Sequence, residues 1–172
     1  RKPVYLWIHD GEAEIRDAGG IWGMATREAQ EAIREEVGDR LTRIAQIGSA
    51  GERLVRFACV VNELKFANGR SGLGAVMGSK RLKAVAVRGR GRLEFKDPER
   101  IRELARWFGE NWVKHPPAVS RSRFGTAEMV LPLSADGILP TRNFIKGSFG
   151  HAEGISGEEM RNAITVDAEG CY

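Results

Sequence analysis

Cysteine is nearly absent from this sequence. Only Cys59 and Cys171 occur among 172 residues. That excludes a disulfide framework and favours a reducing, cytoplasmic setting. Long apolar runs are absent too. None approaches the ~20 residues that a membrane-spanning helix needs, and the first residues carry no leader-like pattern. No run of five like charges occurs. The 27 Lys and Arg are scattered among 23 Asp and Glu, with a net charge of +4, so a nucleic-acid arm is not expected. The three histidines, His9, His115 and His151, are far apart, and no pair has metal-ligand spacing. There is no internal repeat and no low-complexity segment.

What is present suits a folded chain. Hydrophobic residues make up 42% and charged residues 29%, enough for a buried core. The chain opens Arg-Lys-Pro-Val straight into strand-like sequence, which reads as a piece of something longer. Pro3–His9, the turn Asp10-Gly11 and Glu12–Arg16 with its apolar Ile15 predict a hairpin. Ile21-Trp22-Gly23 reads as a packing anchor. Thr26 is placed to cap a helix running to about Val37. Ala29, Ala32, Ile33 and Val37 fall on one face of it, and Gly38 sits at its C-terminal cap. Arg43–Ile47 reads as a strand and Gly48–Gly51 as a turn. Leu54–Val61 (LVRFACVV) is almost continuously apolar and predicts a strand buried on both faces, with Cys59 a core residue. Leu82–Arg88 alternates as a strand, and Gly89-Arg90-Gly91 marks a boundary.

After Asp97 the pattern turns helical. Asp97-Pro98 forms a cap with proline at the first helical position. Ile101, Leu104, Ala105, Phe108 and Trp112 recur at helical spacing, and Trp22, Trp107 and Trp112 are read as packing residues. His115-Pro116-Pro117 ends that helix. A short helix over Thr126–Leu131 stops before Pro132. Ser156-Gly157-Glu158-Glu159 is a capping box that opens a helix carrying Met160, Ala163 and Ile164. The expected fold class is α+β, with a strand-rich portion over residues 1–93 followed by a mainly helical portion over 94–172.

Chemistry concentrates in Asn62–Lys80. Gly69, Gly72, Gly74 and Gly78 fall within ten residues, between two predicted strands. Glycine lets a backbone approach a ligand or adopt positive φ. A helix starting near Gly72 would aim N–H groups at an anion, and Arg70 could grip a phosphate. The spacing fails both standard nucleotide fingerprints. Gly78-Ser79-Lys80 has the wrong order for a P-loop, and Gly72-x-Gly74 is followed by Met77 where a dinucleotide-binding turn needs glycine. By spacing alone the segment is equally a tight turn between packed elements.

The literal string says more. Gly-Arg-Ser-Gly-Leu-Gly-Ala-Val-Met-Gly-Ser-Lys-Arg-Leu-Lys-Ala-Val-Ala-Val, residues 69–87, closely resembles the hallmark stretch of the aldehyde ferredoxin oxidoreductase family. The resemblance extends upstream through Ile47-Gly48, Ala50-Gly51-Glu52 and Leu54–Ala58. Downstream it takes in Phe124-Gly125-Thr126, Gly137–Phe144 and Ile155–Met160. Order and spacing match over essentially the whole chain.

That resemblance implies an internal fragment of a tungsten- or molybdenum-bis-pterin enzyme with one [4Fe–4S] cluster. Such enzymes oxidise aldehydes to carboxylates and pass electrons to ferredoxin or another electron carrier. Homo-oligomers are compatible with it. Residues 1–93 would be the C-terminal part of the pterin-binding N-terminal domain, and 94–172 the start of the helical second domain, truncated at the first cluster cysteine. Ala67, Gly69 and Arg70 would contact the cofactor. Ala67 would offer its backbone carbonyl to the magnesium that bridges the pterin phosphates, Gly69 would permit close approach, and Arg70 would face a phosphate. Phe66 departs from the pattern, since the better-known members carry Arg there. Cys171 would be the first cluster ligand of a Cys-x-x-Cys-x-x-x-Cys run. The proton-moving residues would lie beyond this chain, and the fragment alone is expected to be inactive. Two other readings stand beside this one: the catalytic subunit of a tungsten benzoyl-coenzyme A reductase, which shares these motifs, and a non-enzymatic phosphate-binding module.

Overall fold

A computed structural model describes residues 2–69 and 71–166. Arg70 and Cys171 lie outside the described residues. The chain divides into two compact units, Arg1–Leu93 and Glu94–Tyr172.

The first unit is built on strands β1 (Val4–His9), β2 (Glu12–Asp17), β3 (Arg43–Gln46), β4 (Val61–Asn62), β5 (Phe66–Ala67) and β6 (Leu82–Arg88). They form one mixed sheet in the order β2-β1-β6-β3-β4-β5. β1 and β6 run parallel, and the other neighbours are antiparallel. The predicted hairpin is present. Asp10 and Gly11 both take left-handed φ, 46° and 93°, which matches the turn twist to the strand twist. β2 is an edge strand, and its apolar Ile15 is 75% exposed rather than packed.

Helix α1 (Thr26–Val37) covers the sheet through Ala29 and Ile33. The core beneath it contains Tyr5, Trp7, Ala18, Ile33, Ile44, Ala84 and Ala86, with Ile21 and Val37 packed alongside. Gly38 closes α1 in the left-handed conformation, as its position predicts. Thr26 is not the cap. Ala25 takes that place without a side-chain bond, and the Thr26 carbonyl instead accepts from Gln46 Nε2 at 2.8 Å.

Two further expectations fail between β3 and β4. Gly48–Gly51 tightens into a single helical turn, α2 (Ser49–Glu52). Leu54–Val61 is not a buried strand, since strand pairing begins only at Val61. Leu54 takes φ 60°, and Phe57 is 86% exposed while Ala58 and Val60 are buried. The reason is tertiary. The carbonyl of Ala58 is taken by the N–H of Gly74 at 2.9 Å, in helix α3 (Leu73–Ser79), so this stretch lies along a helix rather than in the sheet. Cys59 is free and half-buried there, not a core-strand residue. β propensity yields to packing at such a place.

The second unit is helical, which makes the whole an α+β chain. α4 (Pro98–Asn111) starts as predicted, with Asp97 Oδ1 accepting from Arg100 N–H at 2.9 Å. His115-Pro116-Pro117 both ends one helix and begins another, α5 (Pro116–Phe124). His115 Nδ1 accepts from Ala118 N–H at 3.3 Å, and the prolines occupy first-turn positions that need no N–H. The helix expected at Thr126–Leu131 is instead a 3₁₀ stretch, Gly125–Met129, followed by α6 (Val130–Ala135). Pro132 sits in the first turn of α6 and does not stop it. α7 (Gly157–Ala163) has half of its capping box. Ser156 Oγ accepts from Glu159 N–H at 3.1 Å, but Ser156 N–H donates to Glu153. Trp22 and Trp112 are half-buried, whereas Trp107 is 62% exposed and does not pack as expected. No helix among the described residues is long and apolar enough to cross a membrane.

Candidate functional site

The candidate site is the edge of the sheet at β5 and the turn that follows it. β4 and β5 form a hairpin of two-residue strands, with Val61 opposite Ala67 and Asn62 opposite Phe66. Its turn places Glu63 and Leu64 at φ 48° and 63°, a left-handed pair without glycine. Such a backbone persists only where the surroundings hold it.

Backbone pairing decides which way Ala67 faces. Glu63 N–H donates to the Ile44 carbonyl at 3.2 Å, and Asn68 N–H donates to the Val60 carbonyl at 2.8 Å. Antiparallel strands alternate hydrogen-bonded and non-hydrogen-bonded pairs. Val60/Asn68 and Asn62/Phe66 are therefore the bonded pairs, and Val61/Ala67 is the non-bonded pair between them. The N–H and carbonyl of Ala67 accordingly turn away from β4. β5 ends the sheet order, so among the described residues they face an open edge, and Ala67 is exposed.

Gly69 follows at φ 59°, with nothing within 4 Å of the place a Cβ would occupy. The left-handed backbone and the open space agree with close approach by a ligand. The other glycines have a different task. A Cβ on Gly78 would stand 1.9 Å from the Gly51 carbonyl oxygen, and one on Gly72 2.0 Å from that of Arg56. They let α2, α3 and the Arg56–Cys59 backbone touch. The helix expected near Gly72 does start there, with Gly72 as its N-cap, and one of its first N–H groups, that of Gly74, is donated to the Ala58 carbonyl.

A buried ion pair braces this arrangement. Lys83, on β6, has a fully buried side chain and donates to Glu52, on α2. Lys83 Nζ also donates to the Met24 carbonyl at 3.2 Å, and Glu52 accepts from Gly23 N–H at 2.9 Å. α2 is thereby pinned to the sheet and to the loop before α1, while Gly51 holds α3. The sequence reading missed both residues. The available signal was a lysine inside an apolar strand, between Leu82 and Ala84.

Glu63 carries the most heavily engaged carboxylate near the hairpin. Its Oε1 accepts from Ile44 N–H at 2.7 Å, and its Oε2 accepts from Arg34 at 2.7 Å and Arg43 at 3.1 Å. Burial alone would push its pKa up. The Ile44 amide and the Arg43 and Arg34 guanidiniums outweigh burial and hold it below the ordinary carboxylate value.

The remaining sites from the sequence stay apart. Phe66 is half-buried opposite Asn62. His9 stacks on Trp7 with ring centroids 5.1 Å apart and meets Glu14 at 2.9 Å. The fold thus gives it an acidic neighbour that spacing did not foretell. His9 and Arg16 together hold the Glu14 carboxyl below its usual range. His151 lies edge-on to Phe149.

Comparison with known proteins shows the family of this chain. The family described as "Aldehyde ferredoxin oxidoreductase, N-terminal domain" matches residues 1–89, and "Aldehyde ferredoxin oxidoreductase, domains 2 & 3" matches residues 103–172. A tungsten-containing aldehyde ferredoxin oxidoreductase of Pyrococcus abyssi is 46% identical over 171 residues, covering 99% of this chain and 28% of that protein. Its counterpart in Pyrococcus horikoshii is 44% identical with the same coverage. Among solved structures, the active-site complex BamBC of benzoyl coenzyme A reductase, bound to 1,5-dienoyl-CoA, matches with a TM-score of 0.64. It is 35% identical over 67% of this chain and 18% of that one. The chain spans 28% of the length of these two Pyrococcus relatives, and it belongs to the aldehyde ferredoxin oxidoreductase family.

Proposed function

We propose that the full-length protein is a tungsten-pterin oxidoreductase that converts aldehydes to carboxylates, and that this chain forms one wall of its pterin cradle. The observation that carries this reading is the outward Ala67 carbonyl on an open sheet edge, two residues before a left-handed Gly69 with open space at its Cβ position. Magnesium takes oxygen ligands and keeps few protein contacts, and a single backbone carbonyl suits it. Arg70 adds a guanidinium for a pterin phosphate. Residues 1–93 are read as the end of the pterin-binding N-terminal domain, and 94–172 as the start of the helical second domain.

When bound, the metal-pterin and a [4Fe–4S] cluster supply the two-electron chemistry and the path to ferredoxin or another carrier. The residues of this chain bind and orient. Ala67 presents its oxygen, Gly69 keeps the approach clear, and Arg70 neutralises charge. Cys171 supplies one cluster thiolate. Such a cluster takes four protein ligands and this sequence has two cysteines, so the fragment alone is expected to be inactive. A cytoplasmic setting suits this chemistry.

A second reading is the catalytic subunit of a benzoyl-coenzyme A reductase, supported by the likeness to the BamBC complex. The experiment is purification of the full-length protein without oxygen from cells supplied with tungstate and molybdate. Tungsten, pterin and aldehyde-dependent reduction of a viologen dye are expected. Absence of both metal and pterin overturns both enzyme readings and leaves the non-enzymatic phosphate-binding module. Metal with turnover of benzoyl-coenzyme A but not of aldehydes moves the protein to the second reading.

A further inference from the structure

We infer that Glu63 is a positioning residue for the Ala67 carbonyl: its clamped carboxylate holds in place the hairpin whose backbone pairing turns that oxygen outward. The inference rests on the pterin-cradle reading.

The β4–β5 hairpin cannot hold itself. Two strands of two residues are shorter than a self-supporting hairpin, and the left-handed pair at its turn adds strain. None of its residues belongs to the hydrophobic core cluster, and the outer side of β5 pairs with no described strand. Polar contacts with β3 and α1 therefore help to fix its orientation.

Glu63 supplies them. Its backbone N–H donates to the Ile44 carbonyl, and Ile44 N–H donates back to its Oε1, closing a ring of hydrogen bonds on one residue of β3. Its Oε2 receives Arg34 from α1 and Arg43 from β3. Arg34 is itself tied to the Thr42 carbonyl at 3.0 Å through Nη2 and 3.1 Å through Nε. Three contacts from two elements converge on one carboxylate that is 13% exposed. Four residues further on, across the hairpin, lies Ala67. A tilt of the turn carries the Ala67 oxygen with it, because Ala67 lies in the strand that leaves that turn. Loss of the carboxylate also removes the group through which Arg34 of α1 and Arg43 of β3 meet the turn.

The test uses the full-length protein loaded with tungstate. Wild type, E63Q, E63A and D39N are each dialysed against EDTA, and the magnesium retained per tungsten is measured. D39N removes an ion pair with Arg88 elsewhere in the first unit and controls for general stability. Loss of an orienting partner behind a metal ligand costs ~10-fold in metal retention. We expect that loss in E63A and a smaller loss in E63Q, whose amide oxygen still accepts from Ile44. D39N is expected to lower Tm yet hold magnesium as wild type does. Hydrogen exchange of the Phe66 and Asn68 amides, which bond across the hairpin, is expected to quicken in E63A and not in D39N. Unchanged retention in E63A, or equal loss in D39N, overturns the inference. If E63A does not fold, E63Q decides by the same ratio. Wild type without tungsten or pterin marks the failure of the cradle reading itself, a distinct result.

Discussion

The two units of this chain bury their apolar residues very differently. Tyr5, Ile33, Ile44, Ile47, Ala84 and Ala86 in the first unit are almost wholly removed from solvent. In the second, Ala152 is the buried hydrophobic residue among those described, while Ile101, Leu104, Trp107 and Phe108 along α4 are exposed. Both units carry well-formed amphipathic helices. Amphipathicity therefore states what a helix is ready to bury, and only a facing surface decides whether it does. The first unit supplies that surface as a sheet.

The largest expected effect comes from breaking the brace of the first unit. Lys83→Ala leaves Glu52 buried without its partner, which costs about 3–5 kcal/mol. Ile33→Ala opens a cavity and costs about 2–5 kcal/mol. Leu104→Ala in α4 should stay within about 0.5 kcal/mol, as surface changes do. Urea midpoints of the three variants check the ranking. Equal loss in Leu104→Ala and Ile33→Ala breaks the contrast between the units.

Glycine substitutions sharpen the same contrast at a smaller scale. Gly78→Ala in α3 forces a methyl against the Gly51 backbone and should cost about 1–3 kcal/mol. Gly109→Ala, inside α4 with open space around it, should stabilise by up to about 1 kcal/mol. Opposite shifts in thermal midpoint are the expected result. The caps come next: Ser156→Ala should cost about 1 kcal/mol, read from the same melting curves.

The smallest effect is a pH dependence. The folded pKa of Glu63 lies below its ordinary value. The clamp thus contributes fully above the usual carboxylate range of ~4.3 and is lost as pH falls through the lowered value. E63Q should flatten part of the acid limb of stability against pH. Glu14 and Asp39 are held low as well, so a residual slope should remain. An acid limb identical to wild type counts against the clamp.

Much of this molecule was legible residue by residue. Asp10-Gly11 announced its hairpin, Gly38 its helix end, and Asp97-Pro98 its cap, because each is a contest among neighbours a few positions apart. The glycine segment was legible as special but misread in part. Its glycines looked alike in sequence, yet Gly69 faces open space while Gly72, Gly74 and Gly78 press against backbone from Gly51 and Arg56–Cys59. Glu63 drew no notice, since a glutamate in a polar turn carries no mark of the two arginines that will meet it.

By itself, then, the sequence determined the local elements, the α+β class and the family, all written in short-range pattern or in the literal string. The tertiary structure decided that Leu54–Val60 leaves the sheet, that Lys83 meets Glu52 across 31 residues, and that the Ala67 carbonyl faces outward. The physical reason is common to all three. Each depends on a hydrogen-bond partner or backbone surface supplied by a distant part of the chain, and no propensity of the residue itself encodes where that partner will stand.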